Sequence, residues 1–365
     1  MKKFNINKIA LLPISLLYGL VVSFRNFLYN KKVLLSNSFD IPLICIGNLS
    51  VGGDGKTPHT EYLIKLLQND IPIATLSRGY KRDTRGFRLA NINNEESART
   101  IGDEPFLYFL KYKNIFVSVG ENRVNAVISL LNQLPFLRCI ILDDAFQHRA
   151  IHAGLNILIS DYANPYFDDE LLPLGRLREH KNGAERADII IISKCDSNLT
   201  VEESLNIIKE INVKPTQGVY FTTLDYSNLY ALFQPELSLN INDVEACFFF
   251  SGIAKPEHAI EYFTKHKIQI HSTFFPDHHF FSLQDLERIM QSFETINHEK
   301  KYLITTEKDA TRLLAFRAYF EAKNITLYIL PIQVQFLFNK EEEFSLLIKK
   351  YLNLPLFDES TQVVY

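Results

Sequence analysis

One stretch constrains this chain more than any other: Ile41-Pro-Leu-Ile-Cys-Ile-Gly-Asn-Leu-Ser-Val-Gly-Gly-Asp-Gly-Lys-Thr57. Its first six residues form an apolar run with β-branched side chains and read as a strand. Gly52, Gly53 and Gly55 follow, then Lys56-Thr57, and from His59 to Gln68 the pattern turns helical. Strand, glycine loop, Lys-Thr, helix is the layout of a phosphate-cradling P-loop. Glycines let backbone N–H groups converge on phosphate oxygens, and the helix N-terminus adds positive potential. Asn48, Ser50, Val51, Gly52, Gly53, Asp54, Gly55, Lys56 and Thr57 form the expected nucleotide-binding set. Lys56 is placed to reach the β- and γ-phosphates, and Thr57 to ligate Mg²⁺. Two positions depart from G-x-x-x-x-G-K-[ST]. Ser50 stands where glycine is wanted, and Asp54 puts an acid into an anion-binding loop unless its side chain points outward.

The rest of the chain supplies the rhythm such a loop needs. Strand-like runs recur at Pro72–Leu76, Ile115–Val119, Arg138–Leu142, Leu155–Ser160 and Ala187–Ser193, with helical stretches at 56–68, 104–112, 121–133 and 200–211. Alternation of this kind implies a parallel sheet covered on both faces, with ligands at the carboxyl ends of its strands. Residues 214–242 break the rhythm and read as linker strands. A second alternation then runs from Ala246 onward, with helices at 256–266, 282–296, 307–321 and 340–352. The expected fold class is α/β: a P-loop NTPase-like parallel sheet in 40–213 and a smaller second α/β unit in 243–365. The net charge of −3 argues against a nucleic-acid partner. Cys45, Cys139, Cys195 and Cys247 lie in or beside apolar runs without CxxC spacing, so they read as buried, reduced side chains rather than a zinc site.

Residues 1–39 differ from everything after them. Lys2, Lys3, Lys8, Arg25, Lys31 and Lys32 are their charges, and no acid precedes Asp40. Ile9 to Phe24 is almost wholly apolar, interrupted by Pro13, Ser15, Gly19 and Ser23, and short for a span of about 20 residues. A basic, apolar helix in the headgroup region fits this pattern, and a helix packed on the main body is the alternative.

Several polar clusters could carry chemistry. Arg138–Leu142 runs into Asp143 and Asp144, strand-end carboxylates suited to Mg²⁺, followed by Gln147 and His148. Asp103, with Glu104 and Pro105 after it, is either a helix N-cap or a general base. Asp277-His278-His279 precedes a helix and reads as proton acceptor, phosphate contact, metal ligand or plain loop. Tyr80 and Arg123 follow strands, Leu172–Glu179 carries Arg176 and Arg178, and Thr306-Glu-Lys-Asp309 joins a strand to a helix. Ser193-Lys194-Cys195-Asp196 is similar to the guanine-reading motif of GTPases, but no D-x-x-G follows Asp143-Asp144. A membrane-associated P-loop GTPase or metallochaperone is therefore the competing reading.

Taken together, these stretches resemble the tetraacyldisaccharide 4'-kinases, the lipid A 4'-kinases of Gram-negative bacteria. The resemblance rests on Gly47–Pro58, Ser77–Tyr80, Gly102–Pro105, Asp143–His148, Leu172–Glu179, Phe275–His279 and Thr306–Asp309, in that order. Ser50 is usual in that family, while Asp54 and Arg176 stand where a small hydroxyl residue and proline are common. The resemblance implies transfer of the ATP γ-phosphate, with Mg²⁺, to the 4'-hydroxyl of a lipid disaccharide 1-phosphate, giving lipid IVA. It implies work at the cytoplasmic face of the inner membrane by a peripheral or single-helix-anchored protein, and no obligate protein partner is inferred. By the same resemblance Lys56 and Thr57 serve the phosphates, and Thr57, Asp143, Asp144 and Gln147 the metal. Asp103 is the implied base, His278 rather than His279 its partner, and Tyr80, Glu104, Arg123 and His148 neighbouring groups.

Overall fold

The computed structural model describes residues 6–93 and 95–355; Lys2, Lys3 and the chain from residue 356 lie outside the described residues. The first sheet is built from β1 (Leu43–Gly47), β2 (Ile73–Ser77), β3 (Arg88–Leu89), β4 (Phe116–Val119), β5 (Cys139–Asp143), β6 (Leu155–Asp161), β7 (Ile189–Ser193) and β8 (Gly218–Tyr226). The second is built from β9 (Leu229–Ala231), β10 (Gln234–Leu239), β11 (Ala246–Ser251), β12 (Gln269–Phe274), β13 (Lys301–Thr306) and β14 (Leu327–Leu330). A last strand, β15 (Ile332–Phe336), returns to the first sheet.

The first sheet runs β15-β8-β7-β6-β1-β5-β2-β4-β3, parallel except at its two edges, where β15 and β3 pair antiparallel. Its strands are apolar on both faces because helices cover both. Ile44 and Ile46 pack into one core with Leu63, Ile64 and Leu67 of the helix Lys56–Leu67. Leu43 and Cys45 pack into the other with Ala126, Val127 and Leu130 of the helix Arg123–Gln133. The second sheet runs β10-β9-β14-β13-β11-β12, its central strands parallel, and also has a core on each face. All four cysteines are buried and unpaired.

The sheets do not follow the boundaries read from the sequence. β8, inside the expected linker 214–242, pairs with β7 and widens the first sheet, whereas β9 and β10 belong to the second. The chain end does not stay with the second unit either. β15 pairs with β8, and Phe344, Ile348 and Leu352 of the helix Glu341–Tyr351 and its end enter the first core. The stretch expected as one helix over 307–321 is broken into Glu307–Leu313, a 3₁₀ turn and Arg317–Lys323.

The N-terminal segment is one helix, Ile6–Asn30, with Pro13 in its first half. Its continuity corrects the expectation of a run too short to span: Leu11–Asn30 is long and apolar enough, by length and composition alone, to cross a bilayer. The stripe facing the protein is small and polar. Ser15 Oγ donates to the Leu171 carbonyl at 3.0 Å, Tyr18 to the Arg178 carbonyl at 2.7 Å, and Asn26 to Glu179 Oε2 at 2.8 Å. Leu16, Leu17, Leu20, Val21, Phe24 and Phe27 point away from the protein and are exposed.

Candidate active site

The carboxyl ends of β1, β2 and β5 converge on one edge, and the P-loop starts there. Gly55 sits in the left-handed region at φ 95°, and a Cβ on it would approach Ser193 Oγ to 3.0 Å, so glycine is required by both torsion and space. The loop is held from two sides. Val51 N donates to the Arg176 carbonyl and Arg178 N to the Leu49 carbonyl, pairing the P-loop with 171–178. Ser193 Oγ donates to the Asp54 carbonyl, and the Lys194 ammonium donates to the Gly53 carbonyl. The Ser-Lys-x-Asp stretch thus has a local use, bracing the loop.

Lys56 opens the helix and is half-buried, with Nζ 3.0 Å from Asn48 Oδ1 and 3.6 Å from Asp144 Oδ1. Thr57 follows it with a half-buried side chain. Asp54 does not point outward: it is buried, and its Oδ2 accepts from Asn48 Nδ2 at 2.7 Å. Burial pushes its carboxyl up, against the pull of the Asn48 hydrogen bond and the Lys56 charge.

The two strand-end carboxylates have different surroundings. Asp143 is buried within reach of three hydroxyls: Thr60 at 3.4 Å, Ser77 at 3.3 Å and Tyr108 at 3.1 Å. Burial, and then the neighbouring Asp144 charge, pushes it up to about 6. Asp144 sits at φ 50°, a strained torsion for a residue with a side chain. Both its oxygens accept from Arg178 Nη1, at 3.0 and 3.2 Å. Burial pushes its carboxyl up, but Lys56 and Arg178 outweigh burial and hold it down. Asp143 and Asp144 offer carboxylate oxygens with crowded negative charge, which suits a hard dication. Gln147 lies beside them, but its amide donates to the Asn48 carbonyl at 2.8 Å and to Glu179 Oε1 at 3.1 Å, bracing the loop. No larger cluster of metal-ligating side chains is found among the described residues.

Arg123 opens its helix, is buried, and donates to the Gly120 carbonyl. Burial lowers it to about 10 although Asp143 and Asp144 oppose the loss of charge. His148 is lowered by burial and by Arg123, Arg78 and Arg25.

Asp103 does not cap its own helix. It is the first residue of the helix Asp103–Lys111, and Gly102 at φ 92° is the cap, so the N-cap reading is not realised. The carboxylate instead reaches the second unit. His278 Nδ1 donates to Oδ2 at 2.6 Å, Arg312 Nε to Oδ1 at 3.1 Å and Arg312 Nη2 to Oδ2 at 2.5 Å. Burial raises its proton affinity, but the hydrogen bonds from His278 and Arg312 outweigh it, leaving the carboxyl at about 2. His278 holds a left-handed φ of 62°, and its Nε2 accepts from Lys308 Nζ at 3.2 Å. Lys308 also lies 3.0 Å from Glu104, whose carboxyl is raised by burial and lowered further by Lys308. The exposed Tyr80 ring meets the His278 ring edge-on at 5.4 Å between centroids. His279 turns away to Asp285 at 3.1 Å and stacks on Phe275.

The sequence singles out no role for Arg312, and Lys308 stands in it within the Thr306–Asp309 stretch without a role of its own. One signal was available for Arg312. Its i,i+3 spacing from Asp309 places both on one helix face, and the two do pair, at 3.2 Å.

A family model described as "Tetraacyldisaccharide-1-P 4'-kinase" matches residues 7–353. Relatives named tetraacyldisaccharide 4'-kinase include proteins from Bacteroides thetaiotaomicron, 42% identical over 346 residues and 92% of this chain and 90% of that one. One from Flavobacterium johnsoniae is 42% identical over 349 residues, covering 95% of this chain and 98% of that one. The crystal structure of LpxK from Aquifex aeolicus, described as an "apo" form in complex with ATP, superposes with a TM-score of 0.74 at 28% identity. That match covers 95% of this chain and 100% of that chain. With the match running from the N-terminal helix through both sheets, the chain belongs to the tetraacyldisaccharide-1-P 4'-kinase family.

Proposed function

We propose that this protein is a lipid kinase of lipid A biosynthesis: it transfers the ATP γ-phosphate to the 4'-hydroxyl of a tetraacyldisaccharide 1-phosphate, giving lipid IVA. The observation that carries the reading is the family match over residues 7–353, which takes in the P-loop, Asp143-Asp144, Asp103 and His278 together. The P-loop amides and Lys56 would grip the phosphate tail, where positioning and charge neutralisation lower the barrier. Thr57, Asp143 and Asp144 would hold Mg²⁺, which supplies neutralising charge on the β- and γ-phosphate oxygens when bound. Asp103 would receive the 4'-hydroxyl proton as the oxygen attacks, with His278 orienting the carboxylate.

The N-terminal helix supports work at a membrane surface, on the cytoplasmic face where ATP is found. A helix with a polar stripe toward the protein and its large apolar side chains outward is stable only if that outer face leaves water. A bilayer holding an acylated substrate provides such surroundings. The experiment that tests the proposal is transfer of radiolabelled γ-phosphate from ATP, with Mg²⁺, to purified lipid disaccharide 1-phosphate in detergent micelles. Labelled lipid at the 4'-position is expected; an unlabelled lipid together with GTP hydrolysis would overturn it.

A further inference from the structure

Arg312 is the most thoroughly fixed cation near Asp103. Its side chain is fully buried. Nη1 donates to Asp309 Oδ1 and to the His279 carbonyl, both at 3.2 Å. Asp309 is itself buried and accepts from Ser251 Oγ at 3.0 Å, Gly252 N at 3.1 Å and Thr306 Oγ1 at 2.7 Å. The guanidinium is thus braced from behind by the second unit, and its Nε–Nη2 fork faces Asp103 across the gap between the sheets.

An ionised carboxylate offers about four acceptor directions. Among the described residues, Oδ2 takes His278 Nδ1 and Arg312 Nη2, while Oδ1 takes Arg312 Nε alone. Oδ1 is the oxygen with an acceptor direction still open. We propose that Arg312 is a positioning residue for phosphoryl transfer: its fork fixes Asp103 so that Oδ1 faces the acceptor hydroxyl and Oδ2 is spent on anchoring. This rests on the reading of Asp103 as the base. The pairing also keeps Asp103 ionised. A base held so weakly basic suits phosphoryl transfer, in which positioning contributes more than basicity because bonding to the attacking oxygen is slight at the transition state. The other charged groups around the pair are Glu104 on the Asp103 helix and Asp277, Lys308 and Asp309 from the second unit. None of them donates to Oδ1.

The test compares R312M, R312K, D103N and the double variant D103N/R312M, measuring kcat, KM for ATP and the pH dependence of kcat. R312M is expected to lose roughly 10- to 100-fold in kcat with KM for ATP unchanged within about twofold. Its acid limb should appear at roughly pH 4–6, where a buried carboxylate without its cation titrates. R312K should recover part of kcat, with a smaller displacement of the limb. D103N/R312M should be no slower than D103N. An acid limb unmoved in both R312M and R312K, or additive losses in the double variant, overturns the proposal. If R312M fails to fold, R312K decides by the same limb. A D103N enzyme with wild-type kcat would instead sink the reading of Asp103 as base, so the two failures are distinguishable.

Discussion

The Lys111 ammonium lies 2.6 Å from the Glu307 carboxylate, and the same ammonium lies 2.7 Å from Glu61. Three elements meet there: Glu61 on the P-loop helix, Lys111 on the helix that begins with Asp103, and Glu307 on the helix that carries Arg312. One half-buried cation thus ties the nucleotide loop, the expected base and its fixed partner together.

Removing that cation should be costly. K111M leaves two buried carboxylates facing one another, and breaking a buried pair of this kind costs about 3–5 kcal/mol. Denaturant unfolding should show the loss, and adding E61Q to K111M should restore part of it. Equal stability of K111M and wild type would mean that water or relaxation compensates the site.

Glu61 should also leave a mark on the pH dependence of stability. Burial first, and the Glu307 charge second, push it up to about 7. A carboxyl raised on folding favours the native state while protonated. Its contribution is present below the ordinary carboxylate range and is lost as pH rises through about 7. E61Q should therefore gain on wild type as pH is raised from about 5 to 8, read as the difference in midpoint of thermal unfolding. A difference constant over that range would argue that Glu61 stays ionised throughout.

The Asp103–His278 pair predicts non-additivity. D103N and H278A should each lower kcat by roughly 10²- to 10⁴-fold, and the double variant should be little worse than the weaker single one. Losses that multiply would show two independent roles.

Lys194 should matter for nucleotide affinity without setting base choice. It braces the Gly53 carbonyl and lies 3.3 Å from Asp161, which Lys255 of the second unit also reaches at 2.7 Å. K194A should raise KM for ATP by roughly 3- to 10-fold, the net worth of one ordinary hydrogen bond, with kcat little changed. A switch of preference between ATP and GTP would instead return weight to the guanine-reading interpretation.

The outward face of the first helix sets the last expectation. L20E with F24E should release the protein from anionic vesicles in a flotation assay. Each side chain is worth roughly 1.5–3 kcal/mol when fully buried in an apolar medium. Retention of the variant on vesicles at high salt would place the contact elsewhere on the protein.

The sequence by itself determined the features whose signal lies within a few residues. The P-loop was legible because glycine torsions and a Lys-Thr at a strand-to-helix joint are local chemistry, and the parallel sheet because apolar runs and helical periods alternate. Asp143-Asp144 followed from ending such a run. Only the tertiary structure decided what lies far apart along the chain. The Arg312 fork meets Asp103 across 209 positions, and His278 across 175. β15 returns to pair with β8, which lies in the stretch 214–242 whose composition reads as linker. Nothing near residue 312 encodes that partner, because the contact depends on how helices attached to two different sheets meet. The same holds for the first helix, whose pattern gave its apolarity but not which stripe docks. That was settled by three polar side chains finding partners on residues 171–179.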